Sequence, residues 1–433
     1  MLIRFGCSNY KSIFSYQELI FTASSLKDAQ SDLINNIGIP EHILPSIALY
    51  GANASGKTNM IEALHFFVRF IRSSYREAAP NGINRPTFKL SPDAVNQVSE
   101  FDMDFILDNK HYHYGYKIND EIVMEEWLFS YAYENRKSRT VLFHRSIEEA
   151  TEYKFSKYLK GENRIIAKLT RANSLYLSSA AQNNHDLLSG IYDYFRLNFS
   201  YRFDQLLQSP IIASRLKEYG TIDQVSSFLK NSGTGIEAIE LKVKERDGDE
   251  LKILNKFQEV FKDTLGDTSK NVHFKDVDAI ELAHKDQSGN LIPFDLEDES
   301  LGTRAMIALL APVFKVLNTG GVFVVDEIES SLHVLLTLQV VKLFSRKETN
   351  PKGAQLVFTT HETNILCNNI LRRDQIWFSE KSFDGETIIA PLTDYELRAT
   401  DNFQKGYLEG RFGAIPFLGD IQKLFQIENN GNG

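Results

Sequence analysis

Eight residues near the N-terminus have the types and spacing of a phosphate-binding loop. Residues 51–58 read Gly-Ala-Asn-Ala-Ser-Gly-Lys-Thr and match the pattern G-x-x-x-x-G-K-[ST] without departure. The two glycines allow a tight turn whose backbone N–H groups face an anion, and the helix that follows adds the positive end of its dipole. Lys57 is expected to reach the β- and γ-phosphates of a nucleotide, and Thr58 to place its hydroxyl on Mg²⁺.

An ordinary glycine-rich turn between a strand and a helix is the alternative, but Lys57 and Thr58 stand where phosphate chemistry needs them. The sequence therefore predicts a nucleotide-binding set, which comprises Gly51, Asn53, Ala54, Ser55, Gly56, Lys57, Thr58 and Asn59.

Two adjacent carboxylates follow an apolar run later in the chain. Residues 320–327 read Gly-Gly-Val-Phe-Val-Val-Asp-Glu, a turn and then a strand of the kind buried in a parallel sheet. Because open α/β sheets bind ligands at the carboxyl ends of their strands, Asp326 is predicted to support Mg²⁺ and Glu327 to accept a proton from water. Many strands end in acidic residues, so this prediction depends on the loop at residues 51–58.

A histidine follows another apolar run. The segment 355–358 reads Gln-Leu-Val-Phe and leads into Thr359-Thr360-His361. A histidine just past such a strand would lie at the same edge of the sheet, so His361 is predicted to contact the γ-phosphate and the attacking water. An ordinary loop histidine is the alternative.

A second helix start has anion-binding character. Ser300 and Gly302, in the run Glu-Ser-Leu-Gly-Thr-Arg, supply a hydroxyl and a bare backbone before an amphipathic helix. One nucleotide does not need two such helix ends from one subunit, so this end could close over the nucleotide of a second copy. A simple N-cap by Ser300 or Thr303 explains these residues equally well.

These motifs require strands and helices to position them. "SIALY" before the loop reads as a buried strand, and "TNMIEALHFFVRFIRSS" after it as an amphipathic helix. From Phe101 the sequence alternates as in antiparallel strands, with turns at 108–109 and 119–120. Residues 173–195 read as a strand that gives way to a helix, residues 203–265 mostly as helices broken at Gly220 and 233–235, and residues 288–290 as a hairpin turn.

Composition and charge limit the class of protein to which the chain can belong. The chain has 433 residues, a net charge of -9 and two cysteines, Cys7 and Cys367, which is typical of a cytoplasmic protein without a disulfide framework. The N-terminus has no apolar signal segment, and the most apolar runs are too short to span a bilayer. The segment 136–171 is locally basic, with aromatic residues between the charges. It could be a groove for nucleic acid or for an acidic protein, although a solvated face is favoured.

The order of these motifs resembles that of the ATP-binding-cassette ATPases, in the soluble branch that includes the SMC, RecF and OLD proteins. "RFGCSNYKSI" looks like the opening strand and turn of that branch, "ESLGTRAM" like its signature motif, "DEIESSLH" like its Walker B and D-loop, and "FTTHETNIL" like its switch-histidine segment. The closing segments "LRRDQIWFSEKSFDGET" and "NFQKGYLEGRFGAIPFL" resemble a bacterial AAA-type subfamily common in anti-phage defence, such as the ATPase subunits of PARIS and Septu systems. The resemblance covers residues 1–75 and 285–420 well and the middle poorly.

The resemblance implies a fold and a set of roles. The fold class is α/β, an ABC-ATPase head with a P-loop core, a flanking antiparallel sheet and a helical insertion lobe. ATP and Mg²⁺ are the implied cofactors, with Glu327 as base, His361 as switch, and Ser300 and Gly302 acting in trans across a head-to-tail dimer. The family also uses a glutamine as a metal ligand, for which Gln182 is the candidate.

The implied domains are 1–200 and 276–433 as the two parts of the head, with 201–275 as the helical lobe. The expected function is an ATP-driven switch that controls a separate effector protein such as a nuclease, without a membrane. A RecF-like repair ATPase that binds duplex DNA is the alternative, so nucleic acid stays possible as a partner.

Overall fold

The structure, a computed structural model, describes residues 1–28, 31–35, 38–77, 82–133, 137–202, 207–245, 276–367, 370–398 and 401–413. The chain divides into two compact units. The first comprises Met1–Tyr201, Gly320–Ile328 and Val341–Gly433. The second comprises Arg202–Thr319 and Glu329–Val340.

The strands and helices follow each other along the chain as listed here. The strands are β1 (Leu2–Ser8), β2 (Gln17–Ile20), β3 (Ser46–Gly51), β4 (Ser99–Leu107), β5 (Lys110–Ile118), β6 (Val123–Ala132), β7 (Ser138–Ser146), β8 (Tyr153–Phe155), β9 (Phe199–Arg202), β10 (Ile236–Glu245), β11 (Asp276–Lys285), β12 (Leu291–Asp295), β13 (Val322–Val325), β14 (Gln355–Thr359), β15 (Ile376–Lys381) and β16 (Thr387–Pro391). The helices are α1 (Lys57–Glu77), α2 (Asn163–Leu169), α3 (Tyr176–Gln182), α4 (Asp186–Leu197), α5 (Ser209–Tyr219), α6 (Ile222–Asn231), α7 (Leu301–Thr319), α8 (Val334–Ser345), α9 (Asn364–Cys367) and α10 (Phe403–Leu408).

A mixed sheet forms the core that carries the predicted motifs. Its strand order is β16-β15-β3-β14-β13-β9. β3 pairs in parallel with both β14 and β15, and β14 pairs in parallel with β13, so the carboxyl ends of β3, β14 and β13 meet at one edge. All three strands are buried along their length, as their apolar sequences predicted.

A second, antiparallel sheet belongs to the same unit, with the order β2-β1-β4-β5-β6-β7-β8. The predicted turn between β4 and β5 is confirmed, because Asp108 and Asn109 have φ values of 50° and 57°, as a two-residue type I′ hairpin requires. The α/β class with a flanking antiparallel sheet is therefore confirmed.

Helix α1 packs against both sheets. It contacts β3 and β14 of the mixed sheet, and the Phe67 ring lies 5.4 Å from that of Tyr116 on β5. Burial on both sides explains why this helix is apolar around much of its circumference and keeps only a narrow exposed face.

The strand expected near residue 175 is not formed; α3 begins there instead. The buried carboxylate of Glu126 accepts hydrogen bonds from the N–H groups of Tyr176 (2.6 Å) and Leu177 (2.9 Å). A carboxylate from β6 thus accepts hydrogen bonds from the first N–H groups of the helix, and the local sequence does not predict this contact.

The second unit contains helices and an antiparallel sheet, β10-β11-β12. The predicted break at Gly220 is confirmed, since Gly220 ends α5 with φ 62°. Residues 236–245 form strand β10, where mostly helices were expected. Ile239, Leu241 and Val243 alternate with charged residues, which is a strand pattern. Residues 246–275 of the predicted helical lobe lie outside the described residues, and the proposed domain bounds stay a prediction.

Helix α7 is long and apolar enough to cross a membrane by length and composition alone, with a mean hydropathy of 1.3, but 67% of that window is buried within the protein. It packs on α5 and α6 of the same unit. This is the environment of a core helix in a globular unit.

Candidate nucleotide-binding site

The loop at residues 51–56 joins β3 to α1 and has backbone angles suited to an anion. Ala54 and Gly56 have φ values of 63° and 107°, the pattern of positive φ found in backbone anion nests. A Cβ atom at Gly56 would lie 2.0 Å from Thr387 Oγ1, and one at Gly51 would lie 2.4 Å from the carbonyl oxygen of Ser379. Both positions therefore require glycine.

The loop is held by side chains from the far end of the chain. The carbonyl oxygen of Ser55 accepts hydrogen bonds from Ser379 Oγ (3.1 Å) on β15 and Thr387 Oγ1 (3.0 Å) on β16. Thr387 Oγ1 also lies 2.7 Å from Ser12 Oγ, which accepts a hydrogen bond from the Asn59 side chain. Asn59, predicted to contact the nucleotide, thus supports the loop through Ser12 in this structure.

Lys57 is the cation of the loop. The residue is 6% exposed, and its Nζ donates hydrogen bonds to the carbonyl oxygens of Gly51 (2.8 Å) and Ala52 (3.0 Å). The ammonium group therefore lies over the loop itself. Ser55 Oγ is buried and has no hydrogen-bond partner among the described residues, so the cradle also offers a polar side-chain atom.

The loop and the first carboxylate meet directly. Thr58 Oγ1 lies 3.2 and 3.0 Å from the two carboxylate oxygens of Asp326, although 268 positions separate the two residues in sequence. Asp326 also accepts a hydrogen bond from Thr359 Oγ1 at the end of β14. A hydroxyl and a carboxylate in contact are the oxygen donors that Mg²⁺ prefers. With the glycine-dependent cradle beside them, these residues fit a magnesium nucleotide.

Glu327 is exposed and has an unusual backbone. Its φ is 46°, which is uncommon for a residue other than glycine, and its N–H donates to Thr359 Oγ1 at 2.8 Å. Such outliers concentrate at functional sites. One threonine thus fixes both the carboxylate of Asp326 and the backbone of Glu327.

His361 lies two residues beyond Thr359 and is exposed. The surrounding segment is attached to β3, because Thr360 N–H donates to the carbonyl oxygen of Leu49 (3.1 Å) and Tyr50 Oη to that of Glu362 (3.2 Å). The structure therefore places His361 past the end of the strand that lies between β3 and β13, as its sequence position predicted.

Gln182 is not brought to this cluster. Its helix, α3, contacts the far part of α1, where Ser178 Oγ donates to the carbonyl oxygen of Ile71. Ile71 lies about 21 Å along the helix from Lys57, and Gln182 is one turn, about 6 Å, from Ser178. A glutamine side chain does not cover the remaining distance to Thr58, so the structure does not support Gln182 as a metal ligand.

Ser300 and Gly302 lie in the second unit, where Ser300 caps α7. Ser300 Oγ accepts a hydrogen bond from Thr303 N–H at 3.1 Å, as an N-cap residue does. A Cβ at Gly302 would come within 3.1 Å of the carbonyl oxygen of Ser331. The N-cap alternative is thus present, and a role in trans stays a prediction.

Several supporting residues were missed by the sequence analysis. Thr359, Ser379 and Thr387 all stood within quoted segments but were given no role. Tyr407 on α10 packs its ring 5.7 Å from Tyr50 of β3. Burial raises the pKa of Tyr407, and a hydrogen bond with the Gly51 backbone partly opposes that rise. The glycines of the loop indicate that other residues pack closely against it, but the sequence does not show which residues these are.

The basic segment is partly structural. Arg145 is buried and donates to the carbonyl oxygen of Ser174 (2.8 Å) and to Glu152 (2.9 Å). Arg136 lies outside the described residues. A second group is exposed and forms no ion pair within the part of the chain that the structure describes, and it consists of Lys157, Lys160, Arg164, Lys168 and Arg171. Both interpretations of this segment stay open.

A glycine-rich loop between a central parallel strand and a helix, in contact with an aspartate at the end of a nearby strand, places the chain among the P-loop ATPase domains. The chain belongs to the family described as "AAA domain, putative AbiEii toxin, Type IV TA system", which matches residues 46–367.

Two solved structures are similar to this chain. The Smc head bound to the C-terminal winged-helix domain of ScpA has 14% identity and a TM-score of 0.44, and the match covers 91% of this chain and 99% of that chain. The Smc head with an extended coiled coil, bound to the C-terminal domain of ScpA and derived from Pyrococcus furiosus, has 14% identity and a TM-score of 0.38, covering 95% and 99%. A search of curated proteins finds no significant match.

Proposed function

We propose that this chain is an ATP-binding and ATP-hydrolysing molecular switch. The contact of Thr58 Oγ1 with the Asp326 carboxylate, at 3.0 and 3.2 Å, carries the proposal, because it joins the phosphate loop to the acidic strand end in one site. Membership of an AAA-domain family supports a nucleotide as the ligand.

Each residue of the site has a distinct chemical role. When bound, ATP supplies the phosphoanhydride bond and Mg²⁺ neutralises charge on its phosphates. The loop N–H groups and Lys57 bind phosphate oxygens, and Thr58 and Asp326 hold the metal. Glu327, exposed at the strand end, accepts a proton from water, and His361 contacts the terminal phosphate.

The switch requires two copies. We propose that Ser300 and Gly302 of one copy close over the nucleotide of the other in a head-to-tail dimer. ATP then contacts both copies only in the closed state, and this difference in binding is what shifts the equilibrium. A shift from mostly open to mostly closed needs roughly 5 kcal/mol of differential affinity. The closed state would control a separate effector protein such as a nuclease, in response to a trigger such as phage infection.

Two substitutions test the site. Glu327→Gln should keep ATP binding, stop turnover and trap the closed dimer, whereas Lys57→Ala should abolish ATP binding. Both are checked by calorimetric ATP titration, a phosphate-release assay and sedimentation with ATP. Hydrolysis at the parent rate by the glutamine variant would remove Glu327 as the base, and unchanged ATP affinity of the alanine variant would contradict the loop assignment.

Mixing variants tests the action in trans. Ser300→Arg and Lys57→Ala should each be inactive alone. A mixed dimer contains one site with an intact loop and an intact Ser300, so mixing should restore at most one working site per dimer. An ATPase rate of Ser300→Arg equal to that of the parent protein would contradict the proposal that this helix end acts across the dimer.

A repair ATPase that binds duplex DNA is the second candidate, favoured by the exposed cations between Lys157 and Arg171 that form no ion pair with a described residue. ATP-dependent binding of a DNA duplex that falls steeply with salt would support it. Co-purification of a stoichiometric effector would support the switch.

A further inference from the structure

One arginine of the second unit is buried and forms no ion pair with any described residue. Arg202, the last residue of β9, is 7% exposed. Its Nη1 and Nη2 are both buried and have no hydrogen-bond partner among the described residues. A guanidinium group is always charged near neutral pH, and burying it unpaired is costly, so such groups are normally paired or bind a ligand.

A second arginine adds to the same positive field. Burial, and then the positive charge of Arg215 on α5, lower the pKa of Arg202 to about 10. Arg215 forms no ion pair within the described ranges. The neighbouring Lys217 on the same helix is neutralised by Asp278, with 3.3 Å between Nζ and the carboxylate. The two arginines therefore add positive charge to the same region, and neither forms an ion pair with a described carboxylate.

We propose that Arg202 and Arg215, which are not part of the loop at residues 51–58, bind a phosphate-type oxyanion. The charge count favours a dianion, because two guanidinium groups are neutralised by one phosphate group but not by a single carboxylate. The planar guanidinium group also matches phosphate geometry through paired N–H donors. The ligand is either inorganic phosphate or the phosphate end of a nucleotide.

The test uses full-length protein with Lys57→Ala, so that the loop at residues 51–58 does not contribute. The melting midpoint is measured in phosphate and in chloride at matched ionic strength. Saturating phosphate should raise the midpoint by about 2–4 °C. Because Lys57 is already removed, a failure here is distinct from a failure of the proposed ATPase.

Arg202→Met in this background removes the charge and keeps much of the side-chain volume. It should lose the phosphate response and melt in chloride at the same temperature as its background or higher, since an uncompensated buried charge has been removed. Arg215→Met should weaken the response. A lower midpoint of Arg202→Met in chloride, with native circular dichroism, would show that Arg202 already has a partner and would overturn the proposal.

The matched control is Asp204→Asn, because Asp204 is the carboxylate nearest to Arg202 in sequence. It should keep the phosphate response and the chloride midpoint of its background, whereas a chloride midpoint lowered by Asp204→Asn would assign the charge compensation to the chain itself, against the proposal. Parallel melts with ADP and ATP identify the source of the phosphate group. A response to any of the three that is lost in Arg202→Met supports the site, and no response to any of them refutes it.

Discussion

Replacement of Thr359 by valine separates the support of the metal site from the binding of the nucleotide. Thr359 is fully buried, and valine has nearly the same shape. Its Oγ1 donates to the Asp326 carboxylate and accepts the N–H of Glu327 at 2.8 Å. The substitution therefore removes one hydroxyl that orients both acidic residues and leaves the phosphate loop intact.

The size of the effect follows from these two hydrogen bonds. A hydrogen bond to a charged group contributes about 1.5–3 kcal/mol, and a neutral hydrogen bond such as that of the part-buried Glu327 N–H contributes about 0.5–1.5 kcal/mol. Because both losses involve one hydroxyl, they do not add fully, and we expect the free energy of unfolding to fall by about 2–4 kcal/mol. Loss of a partner that orients a metal ligand typically costs about 10–100-fold in metal affinity or activity.

Magnesium titrations of ATPase activity give the measurement. The Mg²⁺ concentration for half-maximal activity should rise about 10–100-fold, while ATP affinity in the presence of EDTA stays unchanged. Thr360→Val is the matched control, because Thr360 is equally buried but its hydroxyl accepts the N–H of Glu362 (2.9 Å). It should lose stability without a change in magnesium dependence. An unchanged magnesium dependence in Thr359→Val would refute the assignment of Asp326 to the metal.

Two further predictions address the loop and the antiparallel sheet. Gly56→Ala should abolish ATP binding and lower the free energy of unfolding by at least about 2 kcal/mol, because a Cβ meets Thr387 and the φ is 107°. Gly190→Ala, whose Cβ would have open space within α4, should instead raise the free energy of unfolding by about 0.5–1 kcal/mol. Both values are measured in denaturant titrations, and an equal change in the two variants would contradict the strain argument. Burial alone would raise the pKa of Asp104, but hydrogen bonds with His111 and His113 and the charges of His113 and Arg4 outweigh it and hold that pKa well below its usual value. A carboxyl group with a lowered pKa stabilises the fold above about pH 4, and this stabilisation is lost as the pH falls further. The melting midpoint of Asp104→Asn should therefore lie below that of the parent protein at pH 7 and approach it below about pH 4. A difference in midpoint that does not depend on pH would contradict the ion-pair argument.

The parts of the site that depend on local backbone geometry could be predicted from the sequence. A phosphate loop needs glycine at fixed positions beside a lysine, and a buried parallel strand needs an uninterrupted apolar run. Both requirements are satisfied within eight consecutive residues, so Gly51–Thr58 and the strand before Asp326 could be identified without coordinates. The shared edge for Asp326 and His361 then followed from the class, because parallel strands present their carboxyl ends at one edge of a sheet.

The side chains that support that local geometry could be identified only in the folded protein. Thr359 reaches Asp326 from a neighbouring strand, and Thr387 reaches Ser55 from 332 positions away. Gln182 had a suitable residue type but lies on a helix that contacts the far part of α1. Hydrogen bonds between distant segments depend on how the segments pack, and packing leaves no periodic or positional pattern in the sequence around any one of these residues.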